Sequence, residues 1–145
     1  MTEFKRPESV LVVIYSKDGE VLQLRRCDPL DFWQSVTGSL KLGETVTQAA
    51  KREVQEETGL DASNGLTDSG VVNRYPIHPA WRAKFAPDVK ENIEHVFALR
   101  LSSITAIQLD PKEHNEYRWL PRVEAAALAS SRTDRYAILK LVLEK

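Results

Sequence analysis

Glu53, Glu56 and Glu57 lie three and four residues apart in a segment, Thr45 to Thr58, whose apolar residues recur with helical period. At about 100° per residue, Val46, Ala49, Ala50 and Val54 form the arc that must face a core. Glu53 falls inside that arc between Val46 and Ala49, Glu57 between Val46 and Ala50, and Glu56 at its edge beside Ala49. Gln48, Lys51 and Gln55 take the opposite side. Like charges at these spacings repel by roughly 0.2–0.5 kcal/mol per pair. They also stand in the last turns of the helix, where the macrodipole disfavours negative charge, and inward placement adds desolvation. Lys51 and Arg52 are too few to neutralise them. A bound cation relieves all three penalties, and oxygen-only ligands select a hard ion, Mg²⁺ or Mn²⁺.

The elements that must position these carboxylates can be read on either side. Val10 to Tyr15 is a β-branched apolar run expected as a buried strand, and Val21 to Leu24 is its hairpin partner across the turn Ser16 to Glu20. Phe32 to Thr37 is a short extended piece leading to Gly38. Gly59 suits the left-handed cap that ends the helix. Leu66 to Tyr75, Asn92 to Leu101 and Tyr117 to Leu120 read as strands. Pro121 fits the first turn of a helix to about Ala129, and Thr133 to Leu143 has helical period. The segment between Tyr75 and Asn92, with Pro76, Pro79, Pro87, Trp81 and Phe85, reads as a long loop of the kind that often carries function.

With 145 residues, 42% hydrophobic and 28% charged, the chain fits one globular domain spanning 1–145. A net charge of −1 argues against nucleic-acid binding through bulk positive charge. A polyphosphate ligand would therefore need local cations or a metal. Cys27 is the only cysteine, which excludes a disulfide framework. The opening Met1 to Pro7 lacks an apolar signal core, and no apolar run approaches membrane-spanning length, so a cytoplasmic protein is expected.

Gly38-x5-Glu44-x7-Arg52-Glu53-Val54-x-Glu56-Glu57-x-Gly59-Leu60 matches every specified position of the Nudix box, residues 38–60. A chance match is on the order of one in 10⁹ per starting position. The chain thus resembles the Nudix hydrolases. The resemblance implies an α/β/α sandwich with a mixed β-sheet between helices, and hydrolysis of a phosphoanhydride. Most Nudix proteins carry Pro-Gly-Gly ahead of the box; here Thr37-Gly38-Ser39 stands there. Lys5-Arg6-Pro7, Leu11 to Tyr15 and above all Asp31 to Ser39 are similar to one group within the family, the dihydroneopterin triphosphate pyrophosphatases of bacterial folate biosynthesis. Phe85-Ala86-Pro87, Glu113-His114 and Tyr117-x-Trp119-Leu120 extend the likeness over most of the chain.

The resemblance implies that Glu53 and Glu57 are metal ligands and that Glu56 is either a further ligand or the base that activates water. Arg52 is expected to hold a carboxylate by a fork-like pair. Among Glu91, Glu94, Glu113 and Glu116, the resemblance favours Glu113 as a ligand from outside the box. It also implies substrate contacts at Lys5, Arg25 and Thr37, to which Tyr75 and, from the last helix, Ser131 and Arg135 are added as candidates. A flat ring would want an aromatic platform, for which Phe32, Trp33, Tyr75, Trp81 and Phe85 are candidates; Trp33 and Trp119 fit a core better. His78, His95 and His114 show no metal-ligand spacing and read as structural or surface groups.

The expected reaction converts dihydroneopterin triphosphate to the monophosphate and pyrophosphate with Mg²⁺. The rival enzymatic reading is a nucleoside triphosphate pyrophosphohydrolase acting on dATP or other nucleotides. A catalytically silent ligand sensor is a further alternative, although no box carboxylate is missing. The expected partner is a small-molecule triphosphate, with no nucleic acid or membrane, and a monomer or homodimer is expected.

Overall fold

The computed structural model describes residues 4–143. The first three and last two residues, which the sequence reading counted within the single domain, lie outside that range.

The strand β1 (Glu8–Ser16) forms the centre of the fold because both of its faces are apolar. Val10, Val12 and Ile14 point to one side, Leu11 and Val13 to the other, and all are buried. Such a strand needs cover on both faces. β1 pairs in parallel with β6 (Glu91–Leu101), with Val10 opposite His95 and Val12 opposite Phe97. It pairs antiparallel with β2 (Glu20–Arg26) and with β4 (Val36–Ser39). β5 (Leu66–Pro76) closes one edge against β6, while β3 (Trp33–Gln34) and β7 (His114–Pro121) both pair with β2. The seven strands make one mixed sheet.

Helix α1 (Val46–Thr58) covers the Val10, Val12 and Ile14 face with Ala49, Ala50 and Val54. Helices α2 (Arg122–Leu128) and α3 (Arg132–Leu141) cover the Leu11 and Val13 face with Ala125, Ala137 and Ile138. Full burial of a Val or Ile side chain contributes roughly 1.5–3 kcal/mol, so two such faces hold the layers together. This is the expected sandwich, helices on both sides of a mixed sheet.

Three local expectations change. The extended piece from Phe32 divides at Ser35 into β3 and β4, because the Ser35 amide and hydroxyl both donate to Asp134 instead of to a strand. The segment between β5 and β6 contains a 3₁₀ helix, Pro79–Lys84, capped by His78, whose Nδ1 accepts from the Ala80 amide at 3.0 Å. The last helix ends at Leu141, two residues early, where Val142 turns extended. Among the described residues, no helix is long and apolar enough to cross a membrane.

Candidate active site

Helix α1 is set in phase by its two ends. Thr45 and Gln48 form a capping box: the Gln48 amide donates to Thr45 Oγ1 at 3.1 Å and the Thr45 amide to Gln48 Oε1 at 2.9 Å. At the other end Gly59 takes φ 76°, and its amide donates to the Gln55 carbonyl. Held this way, the helix turns Glu53 and Glu57 toward β4. The approach is close enough that a Cβ at Gly38 would collide with the Glu53 carboxylate. The glycine opening the box thus leaves room for the Glu53 carboxylate, and its backbone is not an unusual one.

Arg52 organises the neighbouring charges. Its Nε and Nη2 donate to the two oxygens of Glu44 at 2.7 and 2.9 Å, and Nη2 also reaches the Ser39 carbonyl at 3.0 Å. Nη1 donates to Glu53 Oε1 at 2.6 Å and to Glu56 Oε2 at 3.2 Å. The expected fork is present, and its partner is Glu44. The guanidinium holds the Glu44 carboxyl down at about 2.

The three glutamates are not equally inward. Glu57 is 5% exposed, the Glu53 side chain 12% and that of Glu56 46%. The wheel placed Glu56 at the edge of the apolar arc; no neighbouring element covers that edge, and Arg52 holds the group at the rim. The electrostatic problem therefore concentrates on Glu57. Burial pushes its carboxyl well above the usual range, and contact with the Glu53 carboxylate adds to this, while a backbone hydrogen bond at Thr37 opposes it.

Glu57 Oε1 is buried and accepts no hydrogen bond. His114 Nδ1 faces it at 4.0 Å and is also unpaired. His114 is buried and its imidazole is pushed down to about 4 by desolvation, so it is neutral at pH 7. Its Nε2 lies 3.0 Å from Gln34 Nε2 and accepts there, which leaves the Nδ1 proton toward Glu57. From sequence alone His114 reads as a structural or surface group. Only the pairing of β7 with β2 brings it behind the box.

A cleft of about 450 Å³ opens over these groups. Among the described residues, no three His, Cys, Asp or Glu side chains gather closely enough to hold a metal by themselves. Mg²⁺ does not require such a cage. It is commonly bound by one or two carboxylates together with substrate phosphates and water. Glu53 and Glu57, in contact and with an unsatisfied oxygen on Glu57, fit that role. Glu113 lines the same cleft. The other outside candidates are committed elsewhere: Glu94 to Asn73 and Tyr75, and Glu116 to Arg25 and Arg118. Glu91 stays exposed at the start of β6.

Lys5, Thr37 and Tyr75 line the cleft, as expected of substrate contacts. Lys5 keeps an open surface, yet partial desolvation and the nearby Lys84 lower its ammonium. Three of the expected contacts are not brought there. Arg25 pairs with Asp31 at 2.5 Å and Glu116 at 3.4 Å, because alternation along β2 turns it with Val21 away from the Leu22 and Leu24 face that packs under α1. Arg26 enters the cleft instead, with its guanidinium 5.1 Å from the Trp81 ring centre. Ser131 caps α3 by accepting from the Asp134 amide at 3.1 Å, and Arg135 donates to the carbonyls of Ala126 and Ala129. Lys41 and Lys84, which no sequence motif marks, also line the cleft.

Trp81 and Phe85 supply the aromatic wall. Phe32 packs edge-on to Trp81 at 5.3 Å, and His78 lies 4.9 Å from it. Trp33 is buried under Arg118, as expected of a core residue, while Trp119 is half-buried, packing against the edge of the core and donating to the Thr105 carbonyl.

A family profile described as NUDIX domain matches residues 5–142. A dihydroneopterin triphosphate diphosphatase of Escherichia coli is 44% identical over 144 residues, covering 97% of this chain and 95% of the relative. A Haemophilus influenzae protein of the same name is 38% identical, covering 97% and 90%. The solved structure of the E. coli dihydroneopterin triphosphate pyrophosphohydrolase superposes with a TM-score of 0.91 at 44% identity, over 96% of this chain and 97% of that one.

Proposed function

The chain belongs to the NUDIX family, and on that footing we propose that it hydrolyses dihydroneopterin triphosphate to dihydroneopterin monophosphate and pyrophosphate, a step of folate synthesis. It is a pyrophosphohydrolase that works with a divalent cation, and we assign that cation as Mg²⁺. The observation that carries the reading is the Glu53–Glu57 pair, one carboxylate buried and unsatisfied, set under a cleft lined by Lys5, Arg26 and Lys84. Relatives at 44% and 38% identity over nearly the whole chain supply the substrate.

Glu53, Glu57 and Glu113 are the residues that would hold the cation, which when bound neutralises phosphate charge and acidifies a water. Arg52 keeps Glu53 and Glu56 oriented through one nitrogen while its other two lock onto Glu44. His114 presents an N–H behind Glu57 and keeps that face of the site free of positive charge. Lys5, Arg26 and Lys84 meet the polyphosphate. Glu56, at the open rim, is the carboxylate we assign to accept the proton of the attacking water. Trp81 and Phe85 offer the flat faces against which a ring packs. The lone Cys27, a free thiol, accords with a reducing cytoplasmic setting.

The test compares pyrophosphate release from dihydroneopterin triphosphate, dATP and dGTP, with and without Mg²⁺. The reading expects Mg²⁺-dependent turnover with the pterin substrate preferred. A strong preference for dATP would overturn the substrate, and absence of turnover on all three would overturn the reaction.

A further inference from the structure

Asn92 is a buried polar side chain on the wall of the cleft that the chemistry above does not use. It is 6% exposed and lines the cavity with Ser9 and Tyr75. Its Nδ2 donates to Ser9 Oγ at 2.7 Å and to the Tyr75 hydroxyl at 3.2 Å. Tyr75 in turn donates its only proton to Glu94 Oε2 at 3.0 Å, and Glu94 Oε1 accepts from Asn73 at 3.2 Å. Tyr75 also lies within hydrogen-bonding reach of Ser9.

This chain of bonds has a direction. A carboxylate accepts, so the tyrosine hydroxyl must donate to it and can only accept from Asn92. The amide of Asn92 is thereby turned with its N–H groups toward Tyr75 and Ser9. Its carbonyl oxygen, Oδ1, is left buried with no hydrogen-bond partner. A buried polar atom without a partner costs roughly 1–3 kcal/mol. The orientation is fixed from Glu94 outward, so rotation of the Asn92 amide cannot relieve it.

We propose that Asn92 Oδ1 is a specificity-determining acceptor for an N–H group on the heterocyclic ring of the substrate. This rests on the functional reading above: the 2-amino-4-oxo edge of a dihydropterin carries such donors, on the exocyclic amine and the adjacent lactam nitrogen. A site built to satisfy a ring donor discriminates strongly against ligands without one, because the protein acceptor is then left unpaired. Asn92 acts on binding of the ring and not on the phosphates, which the cations and carboxylates serve.

The experiment measures steady-state kinetics of the full chain on dihydroneopterin triphosphate, together with the Ki of inorganic triphosphate as a ring-free competitive inhibitor. Asn92→Leu keeps the size and removes the acceptor. Asn92→Ser keeps a polar group for Ser9 and Tyr75 but falls short of the ring, and covers the case in which the leucine variant does not fold. In either variant KM should rise about tenfold or more, and by more than kcat falls, while the Ki of inorganic triphosphate stays within twofold. An unchanged KM, or a parallel rise of KM and Ki, would overturn the role of Asn92 while leaving the enzymatic reading intact. Absence of wild-type turnover on the pterin substrate would overturn the functional reading and this inference with it.

Discussion

Arg52 and Glu44 are joined by two parallel hydrogen bonds, Nε to Oε2 at 2.7 Å and Nη2 to Oε1 at 2.9 Å. Eight residues of chain separate them, and the pair ties the loop ahead of α1 to the middle of that helix. The remaining nitrogen, Nη1, is thereby aimed at Glu53 and Glu56. Lysine cannot reproduce this arrangement, because an ammonium lacks the planar fork. Arg52→Lys should lower kcat/KM about 10- to 100-fold, the usual effect of removing a group that orients metal ligands. Near-wild-type kinetics would show that charge alone suffices at this position.

The same pair predicts an acid-sensitive contribution to stability. The Glu44 carboxyl lies at about 2 in the folded chain against an ordinary 4.5. A depressed carboxyl stabilises the fold above its unfolded value, and that contribution is lost as pH falls from about 4.5 toward 2. Urea midpoints of wild type and Glu44→Gln should therefore differ at pH 6 and converge toward pH 2.5. A gap that stays constant with pH would mean that the pair contributes nothing through ionisation.

Gly38→Ala puts a methyl group where the Glu53 carboxylate lies. Either the carboxylate swings away or β4 shifts. Overpacking of this kind costs about 1–3 kcal/mol, and a displacement near 1 Å at the reacting centre costs on the order of 100-fold in rate. Activity should fall far more than the melting temperature. Unchanged activity would contradict the close approach of β4 and α1.

Asp134 tests the opposite sign of pH dependence, well away from the box. It is fully buried, accepts from the Ser35 amide at 2.6 Å and the Ser35 hydroxyl at 2.7 Å, and burial pushes its carboxyl up to about 6 from 3.8. A raised carboxyl contributes most below its unfolded value and loses that contribution as pH climbs through the folded one. Two units correspond to roughly 3 kcal/mol. Asp134→Asn should gain stability relative to wild type between about pH 4 and 6, read from urea midpoints. Parallel profiles would mean that Asp134 does not titrate in that interval.

How much of this was legible in the sequence depends on the range of the interactions involved. The alternation of Val10, Val12 and Ile14 against Leu11 and Val13, and the helix from its Thr45 cap to Gly59, are local patterns, and the strands and α1 follow from them. The inward face of Glu57 also follows from the wheel. Glu56, at the edge of the arc on the wheel, stands at the half-exposed rim of the site, although the wheel gives direction and not depth. Arg25 and Arg26 are adjacent and chemically alike. Alternation along β2 decides between them: Arg26 follows Leu22 and Leu24 on the face under α1, while Arg25 follows Val21 to the other face. His114 reaches Glu57 through the pairing of β7 with β2, and Asn92 reaches Ser9 through the parallel pairing of β6 with β1. Both meetings join residues about 55 to 85 positions apart, beyond any spacing rule.

Glu57 bears the central claim, since burial and the neighbouring Glu53 make its charge unfavourable unless a cation is bound. The most direct measurement follows Glu57→Gln beside wild type, recording Mg²⁺-dependent pyrophosphate release from dihydroneopterin triphosphate and the melting temperature in metal-free buffer. The account predicts that release is abolished while the melting temperature holds or rises, because the substitution removes a buried charge. Release at the wild-type rate, or a marked loss of stability without metal, would contradict it.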